Sequence, residues 1–314
     1  MRRITRILAI MACVTAAWTA SAQQDAQYTN FLFNAFGINP ANAGMNKCLD
    51  ARVGYRTQWV GFENNPKTVL VNAHQRIQSI SRERGVVHGV GINIEGDNTG
   101  FTGRTSFHGA YAIHLPLSRK TRISFGVGIG VLQYRFDASS AFVPTAGDPL
   151  LQVSENELVF PDIKAGIWLY GKSWFAGFSG AHLTNPTLEN IGYDVQLQPH
   201  FNFMAGKIIP GAEKMSYIPA AQLKFTGNST PSLDVNFWAD YDNRVALGLG
   251  FRSEDAVSGM LKFNFLEYFT LTYAYDLTYS RMRLGSSNSH EIMLGISACP
   301  RTEKPGFVPC NAYN

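Results

Sequence analysis

The side chains able to do chemistry are scattered. The chain has seven His, and no two stand four apart, the spacing that sets two imidazoles on one helix face for a metal. No Cys-x-x-Cys pair occurs either. His108 and His114 fall on the same side of an alternating stretch, but six residues apart, too far to share one ion. Ser124 and Ser179 lack the strained elbow motif of a nucleophilic serine. Gly126-Val127-Gly128-Ile129-Gly130 is not a phosphate cradle, because no helix follows it. Asp50, Arg52, Arg56, Asp234, Asp240, Lys262 and Glu291 share one face of period-2 segments, where opposite charges brace an interior more often than they catalyse. Nothing pairs a nucleophile with a base, so an enzyme is the minor reading, and neither cofactor nor metal is expected.

The elements that carry these residues are strands. From residue 47 onward almost every segment alternates. Val245, Leu247, Leu249 and Phe251 share one face, with Ala246, Gly248 and Gly250 on the other. Ile123, Phe125, Val127, Ile129 and Val131 do the same against Ser124, Gly126, Gly128 and Gly130. About fourteen strands are expected, near 47–59, 66–77, 85–96, 101–116, 121–135, 160–170, 173–182, 197–209, 214–226, 231–241, 244–253, 256–265, 268–276 and 288–297. Many reach the 9–11 residues that a tilted strand needs to cross a bilayer. The fold class expected is all-β, a transmembrane antiparallel up-and-down β-barrel with its apolar row toward lipid and its small or polar row lining the lumen. A soluble sandwich, with the apolar row packed on a second sheet, is the competing reading. Pro219, inside one of these segments, points to a bulge or a misplaced boundary.

Connection lengths sort by side. Long ones at 136–159, 183–196 and 277–287 fall on one end, and short turns at 171–172, 242–243 and 266–267 on the other. The connection at 78–84 is long for its side and that at 253–255 is short. Such asymmetry suits an outer-membrane barrel with both termini periplasmic. Trp59, Phe62, Phe101, Tyr134, Trp174, Tyr268, Phe269 and Tyr275 sit near strand ends, where interfacial girdles form, although a soluble barrel would also place core aromatics there.

Composition agrees. The 314 residues carry 16% charged and 12% aromatic side chains at a formal net charge of +4. That is too apolar for disorder, yet no run after the first 20 or so residues could form a spanning helix. The N-terminus has the three parts of an export signal: Arg2, Arg3 and Arg6, then apolar Ile7 to Trp18, then Ala20-Ser21-Ala22. Cleavage there starts the mature chain at Gln23; Ile10-Met11-Ala12-Cys13 is a weaker lipoprotein-like alternative. Without the signal, 24 basic residues face 23 acidic ones, a balance that argues against nucleic acid as a partner. Cys48, Cys299 and Cys310 remain, and export permits disulfides. Cys299 and Cys310 could close a short loop or remain free thiols. The expected organisation is a signal at 1–22, a segment at 23–46 that is periplasmic or plugs the lumen, a barrel at 47–297, and a periplasmic tail at 298–314.

Several blocks carry a family likeness. The mature start reads Gln24-Asp25-Ala26-Gln27-Tyr28-Thr29-Asn30-Phe31-Leu32-Phe33-Asn34, followed by Asn39-Pro40-Ala41-Asn42-Ala43-Gly44. Then come Tyr55-Arg56-Thr57-Gln58-Trp59, Pro66-Lys67-Thr68, Gly89-Val90-Gly91, Asp97, Gly100 and Arg104-Thr105. Tyr275-Asp276-Leu277-Thr278 and Ser289-His290-Glu291-Ile292-Met293-Leu294-Gly295 close the series. Together these blocks resemble the PorP/SprF family of type IX secretion system proteins of Bacteroidota. Ala26, Thr29, Asn42 and Ile296 depart from the family pattern, which has Pro, an aromatic, Tyr and Tyr at or near these places.

The resemblance implies an outer-membrane barrel working with a secretion and gliding apparatus, none of whose members is known as an enzyme. It implies periplasmic ring components as partners and, for some members, surface adhesins bearing a C-terminal secretion domain. Arg56, Gln58, Trp59, Lys67, Arg104, His290 and Glu291 are the candidates for partner contact or for bracing the lumen. The expected function is a docking platform. The alternatives are a passive transporter of apolar solutes with a plugged lumen, and a soluble secreted β-protein.

Overall fold

The computed structural model describes residues 25–46, 48–77, 85–136, 156–188, 195–227, 229–253, 255–266, 268–280 and 288–298. The expected signal, the connections at 137–155 and 281–287, and the tail from 299 lie outside them. Fourteen antiparallel strands close into one barrel. They are β1 (Asp50–Val60), β2 (Lys67–Ile77), β3 (Val87–Thr99), β4 (Thr102–Pro116), β5 (Thr121–Phe136), β6 (Asn156–Gly171) and β7 (Trp174–Ala181). The second half is β8 (His200–Lys207), β9 (Met215–Thr226), β10 (Ser232–Tyr241), β11 (Val245–Arg252), β12 (Ala256–Phe265), β13 (Phe269–Thr278) and β14 (Asn288–Ser297). Each strand pairs with the next, and β14 returns to β1 with Asp50 opposite Ser297. Closure gives each of the fourteen strands a paired neighbour on both sides.

Alternation decides which way each side chain points. In β11, Leu247 and Leu249 are 64% and 69% exposed, while Ala246, Gly248, Gly250 and Arg252 on the alternate positions are buried. Exposed apolar residues recur around the barrel, among them Ile129, Val159, Phe237 and Ile292. A continuous apolar outer surface of this kind is stable only against lipid. Among the described residues no helix is long and apolar enough to cross a membrane, and the crossing falls to the strands.

Turn chemistry matches the hairpins. Asp242 and Asn243 both hold positive φ, at 52° and 50°. They are the central pair of a tight turn, closed by the Arg244 N–H on the Tyr241 carbonyl at 2.9 Å, and these residue types tolerate that conformation. Trp59 also has positive φ, at 49°, where the β1–β14 register shifts between Thr57 and Val60.

Some boundaries differ from expectation. β1 starts at Asp50 rather than 47, β6 starts at Asn156 rather than 160, and β3 runs on to Thr99. β8 begins at His200, because Val195–Gln196 turns back to pair with Thr187–Leu188. Pro219 makes no bulge: the β9–β10 register passes through Pro219 opposite Phe237 unbroken. It stands just past the end of the β8 ladder, at Gly206 opposite Ala220, where a missing donor is tolerated.

Residues 25–46 lie inside the barrel. They form one helical turn, α1 (Ala35–Ile38), then a 3-10 turn at Pro40–Asn42, and otherwise irregular chain. Tyr28 to Phe36 and Asn39 to Met45 are almost wholly buried. Phe31 and Leu32 share one core with Trp168, Met204, Ile218 and Trp238 of the wall, and Phe33 shares another with Leu70 and Met293.

Candidate functional site inside the barrel

The lumen centre is an ion network. Arg56 on β1 donates from Nη2 to Asp276 at 2.7 Å and from Nη1 to Glu291 at 3.1 Å. Arg252 on β11 bonds Asp234 through Nε at 3.1 Å, and its Nη1 lies 3.6 Å from Asp276. Lys224 donates to Asp234 at 2.8 Å. Every one of these groups stands on an inward position of a different strand, and alternation puts them there. Burying charge is costly without such pairing.

Thr29 of the inner segment sits in the middle of this network. Its N–H and that of Asn30 donate to the two oxygens of Glu291 at 2.8 and 2.9 Å. Its hydroxyl donates to Asp276 at 2.8 Å and accepts from Arg56 at 2.9 Å and Arg252 at 3.2 Å. Its carbonyl accepts from Asn236 at 2.9 Å. The segment thus supplies the hydrogen bonds that water would otherwise make to the wall.

The same pattern continues to both ends. Toward the β3–β4 turn, Tyr28 donates to Glu95 at 2.6 Å and Arg104 bonds Asp25 at 2.5 Å. Burial alone would raise the Asp25 carboxyl, but Arg104, with His182 and His200, reverses this and holds it well below the usual carboxylate range. Toward the opposite end, Ser124 donates to the carbonyl of Ala41 at 2.7 Å, His114 Nε2 meets that of Ala43 at 2.8 Å, and Arg76 reaches that of Met45 at 3.0 Å. The chain therefore descends from the end with the long connections to the end with the short turns.

Two wall glycines make that close approach feasible. A Cβ at Gly126 would lie 2.3 Å from the Ala41 nitrogen, and one at Gly89 would lie 2.0 Å from the Ala43 carbonyl oxygen. The Gly-rich stretch of β5 is therefore where backbone meets backbone.

The residues singled out from sequence divide between the two faces. Arg56, Arg104 and Glu291 point inward and hold the inner segment. Gln58 is buried beside the bulge, and its N–H donates to the carbonyl of Pro66. The Trp59 N–H donates to the Ser289 hydroxyl at 3.1 Å. Lys67 lies on the outward row of β2 and is exposed. His290 bonds the Tyr273 hydroxyl at 2.8 Å in an exposed group that also holds Tyr275, away from the neighbouring Glu291. Asp276 and Thr29 lay within the family blocks but were not singled out. Asp25 also lay within a family block, whereas Glu95, Asp162, His182 and Arg252 had no signal beyond inward alternation or none at all. Cys48 is disulfide-bonded, while Cys299 and Cys310, read as either a closed loop or free thiols, lie outside the described residues.

The description "Type IX secretion system membrane protein PorP/SprF" matches residues 20–296. The chain belongs to the PorP/SprF family. No curated protein matches the chain. Among solved structures, this PorP/SprF protein is similar to the toluene transporter TbuX of Ralstonia pickettii, with 11% identity, a TM-score of 0.50, and coverage of 82% of this chain and 91% of TbuX. A Pseudomonas aeruginosa FadL homologue gives 10% identity and a TM-score of 0.48 over 85% and 92% of the two chains. At such identity the likeness is one of fold: an outer-membrane β-barrel.

Proposed function

We propose that this PorP/SprF protein serves the type IX secretion machine as a closed docking platform, and that cargo does not pass through it. The observation that supports this is the filled lumen. Residues 25–46 are hydrogen-bonded to β1, β2, β4, β5, β7, β10, β11, β13 and β14, among others. Withdrawing them would strip partners from Glu291, Asp276 and Arg252 in a low-dielectric interior. A fourteen-stranded barrel is also narrower than the channels that pass solutes freely.

In this reading the long connections face outward, toward surface adhesins carrying C-terminal secretion domains. The short turns and the chain after Ser297 face the periplasmic ring. Residues 25–46 are mostly buried in the lumen, so docking to the ring falls to the turns and the tail. Export by a signal at 1–22 and a part in gliding belong to the same proposal.

A transporter of apolar solutes is the second reading, favoured by the fold shared with TbuX. The charged, hydrogen-bonded lumen around Arg56 argues against it, since apolar ligands take apolar linings. The test is detergent extraction of the tagged native protein followed by mass spectrometry of what co-purifies. Ring subunits or adhesin cargo support the platform. A barrel that purifies alone, and whose deletion blocks hydrocarbon uptake but not protein secretion, supports the transporter.

A further inference from the structure

One side-chain cluster is left over by the platform reading. His182 follows β7 directly, and His200 opens β8 opposite Ala181, so the strand register brings the two rings together edge-on with centroids 5.8 Å apart. Asp25 arrives from the inner segment, and its Oδ1 lies 3.9 Å from His182 Nε2. One donor atom from each of Asp25, His182 and His200 lies within 4.8 Å of the other two. Behind them, Asp162 bonds His182 Nδ1 at 3.0 Å and His108 Nε2 at 2.9 Å. That bond fixes the His182 ring with its other nitrogen toward Asp25. A carboxylate orienting a ligand imidazole from behind is the usual outer support of a metal site. A second observation points the same way: His200 Nδ1 is buried and has no hydrogen-bond partner.

We propose that Asp25, His182 and His200 bind a divalent transition metal ion of the zinc class. Two imidazoles and one carboxylate suit such an ion, whereas calcium and magnesium require mostly oxygen donors. Ligands 2.0–2.1 Å from zinc stand about 3.3 Å from one another, so the three side chains must draw in slightly around the ion. Arg104, 2.5 Å from Asp25 Oδ1, is the competing cation. The ion takes the other carboxylate oxygen, or Arg104 turns toward Glu95, which it already approaches at 3.6 Å. The fourth position is left for water. Because Asp25 opens the inner segment while both imidazoles belong to the β7–β8 wall, the ion acts as a clasp on the segment's outer end.

Purified full-length barrel, stripped with chelator and folded in detergent, is titrated with zinc chloride, and bound metal is counted by mass spectrometry. One zinc per chain is expected. His200→Ala and His182→Ala should each weaken binding more than about tenfold, and Asp162→Asn by about 10–100-fold through loss of orientation. His290→Ala, on the outer face, should bind as wild type. Heat-modifiable mobility identifies the variants that are folded. Zinc should also slow proteolysis near Asp25 in the wild type and not in His200→Ala. No stoichiometric zinc in the wild type, or equal zinc in folded His182→Ala and His200→Ala barrels, overturns the proposal.

Discussion

Arg56 and Asp276 stand 220 residues apart in the chain and 2.7 Å apart in the barrel, each with 1% of its side chain exposed. Arg56 also neutralises Glu291, so one guanidinium serves two buried carboxylates. Arg56→Met leaves Glu291 without a cationic partner and Asp276 with only the more distant Arg252, at 3.6 Å. The expected loss is about 3–5 kcal/mol, the usual result of leaving a buried charge without its partner. It is read as a lower denaturant midpoint for the heat-modifiable band. The triple variant Arg56→Met, Asp276→Asn, Glu291→Gln should recover part of that loss. A single variant that unfolds with the wild type would contradict the network.

The glycines opposite the inner segment allow a second test. Gly126→Val and Gly89→Val put side-chain carbon where the backbone of Ala41 and Ala43 now lies. The partner not held in the strand ladder is the irregular segment, not the barrel wall. Both variants should therefore keep the barrel but displace residues 25–46, giving higher ion conductance in planar bilayers. Wild-type conductance in both would mean that the segment does not close the lumen.

Lipid contact is tested on the outer face. Leu249, 69% exposed, lies mid-strand in β11, and Leu266, 73% exposed, lies in a turn. Leu249→Arg should cost about 2–4 kcal/mol in a bilayer, the depth-dependent cost of a cation facing lipid, and Leu266→Arg much less. Equal, small effects from both, measured by folding into vesicles, would argue for a water-facing surface.

The disulfide can be mapped directly. Cys48 is bonded, and the Ala298 N–H donates to the carbonyl of Leu49 at 2.9 Å, so the chain leaving β14 still runs beside the chain entering β1. A non-reducing peptide map should join the Cys48 peptide to one from the segment after Ala298. A map joining Cys299 to Cys310 with Cys48 free would contradict this.

The barrel was legible in the sequence because its rule is local. Leu247 and Leu249 alternate with small residues whatever the rest of the chain does, and fourteen such runs with uneven connections leave few folds open. Boundaries slipped where pairing rather than pattern decides, as at Asn156 and His200. The inner segment has no period, because Thr29, Asn34 and Asn39 answer to wall groups rather than to a helix or strand repeat. Its partners were illegible for the same reason: nothing near Thr29 announces Asp276, and nothing near Asp25 announces His182 or His200. Arg56 and Glu291 were found both by inward alternation and in the family blocks, and that likeness also drew in Lys67 and His290, which face outward.

The most direct test locks the segment in place. Ser124 and Ala41 already touch through a 2.7 Å hydrogen bond. Ala41→Cys with Ser124→Cys, closed by a short thiol cross-linker, is returned to a strain lacking the native protein, and secretion of type IX cargo is measured. A docking platform predicts secretion at the wild-type level with the lumen locked. Secretion that stops on cross-linking, and does not stop in either single-cysteine variant treated alike, would show that the lumen must open and would contradict the platform.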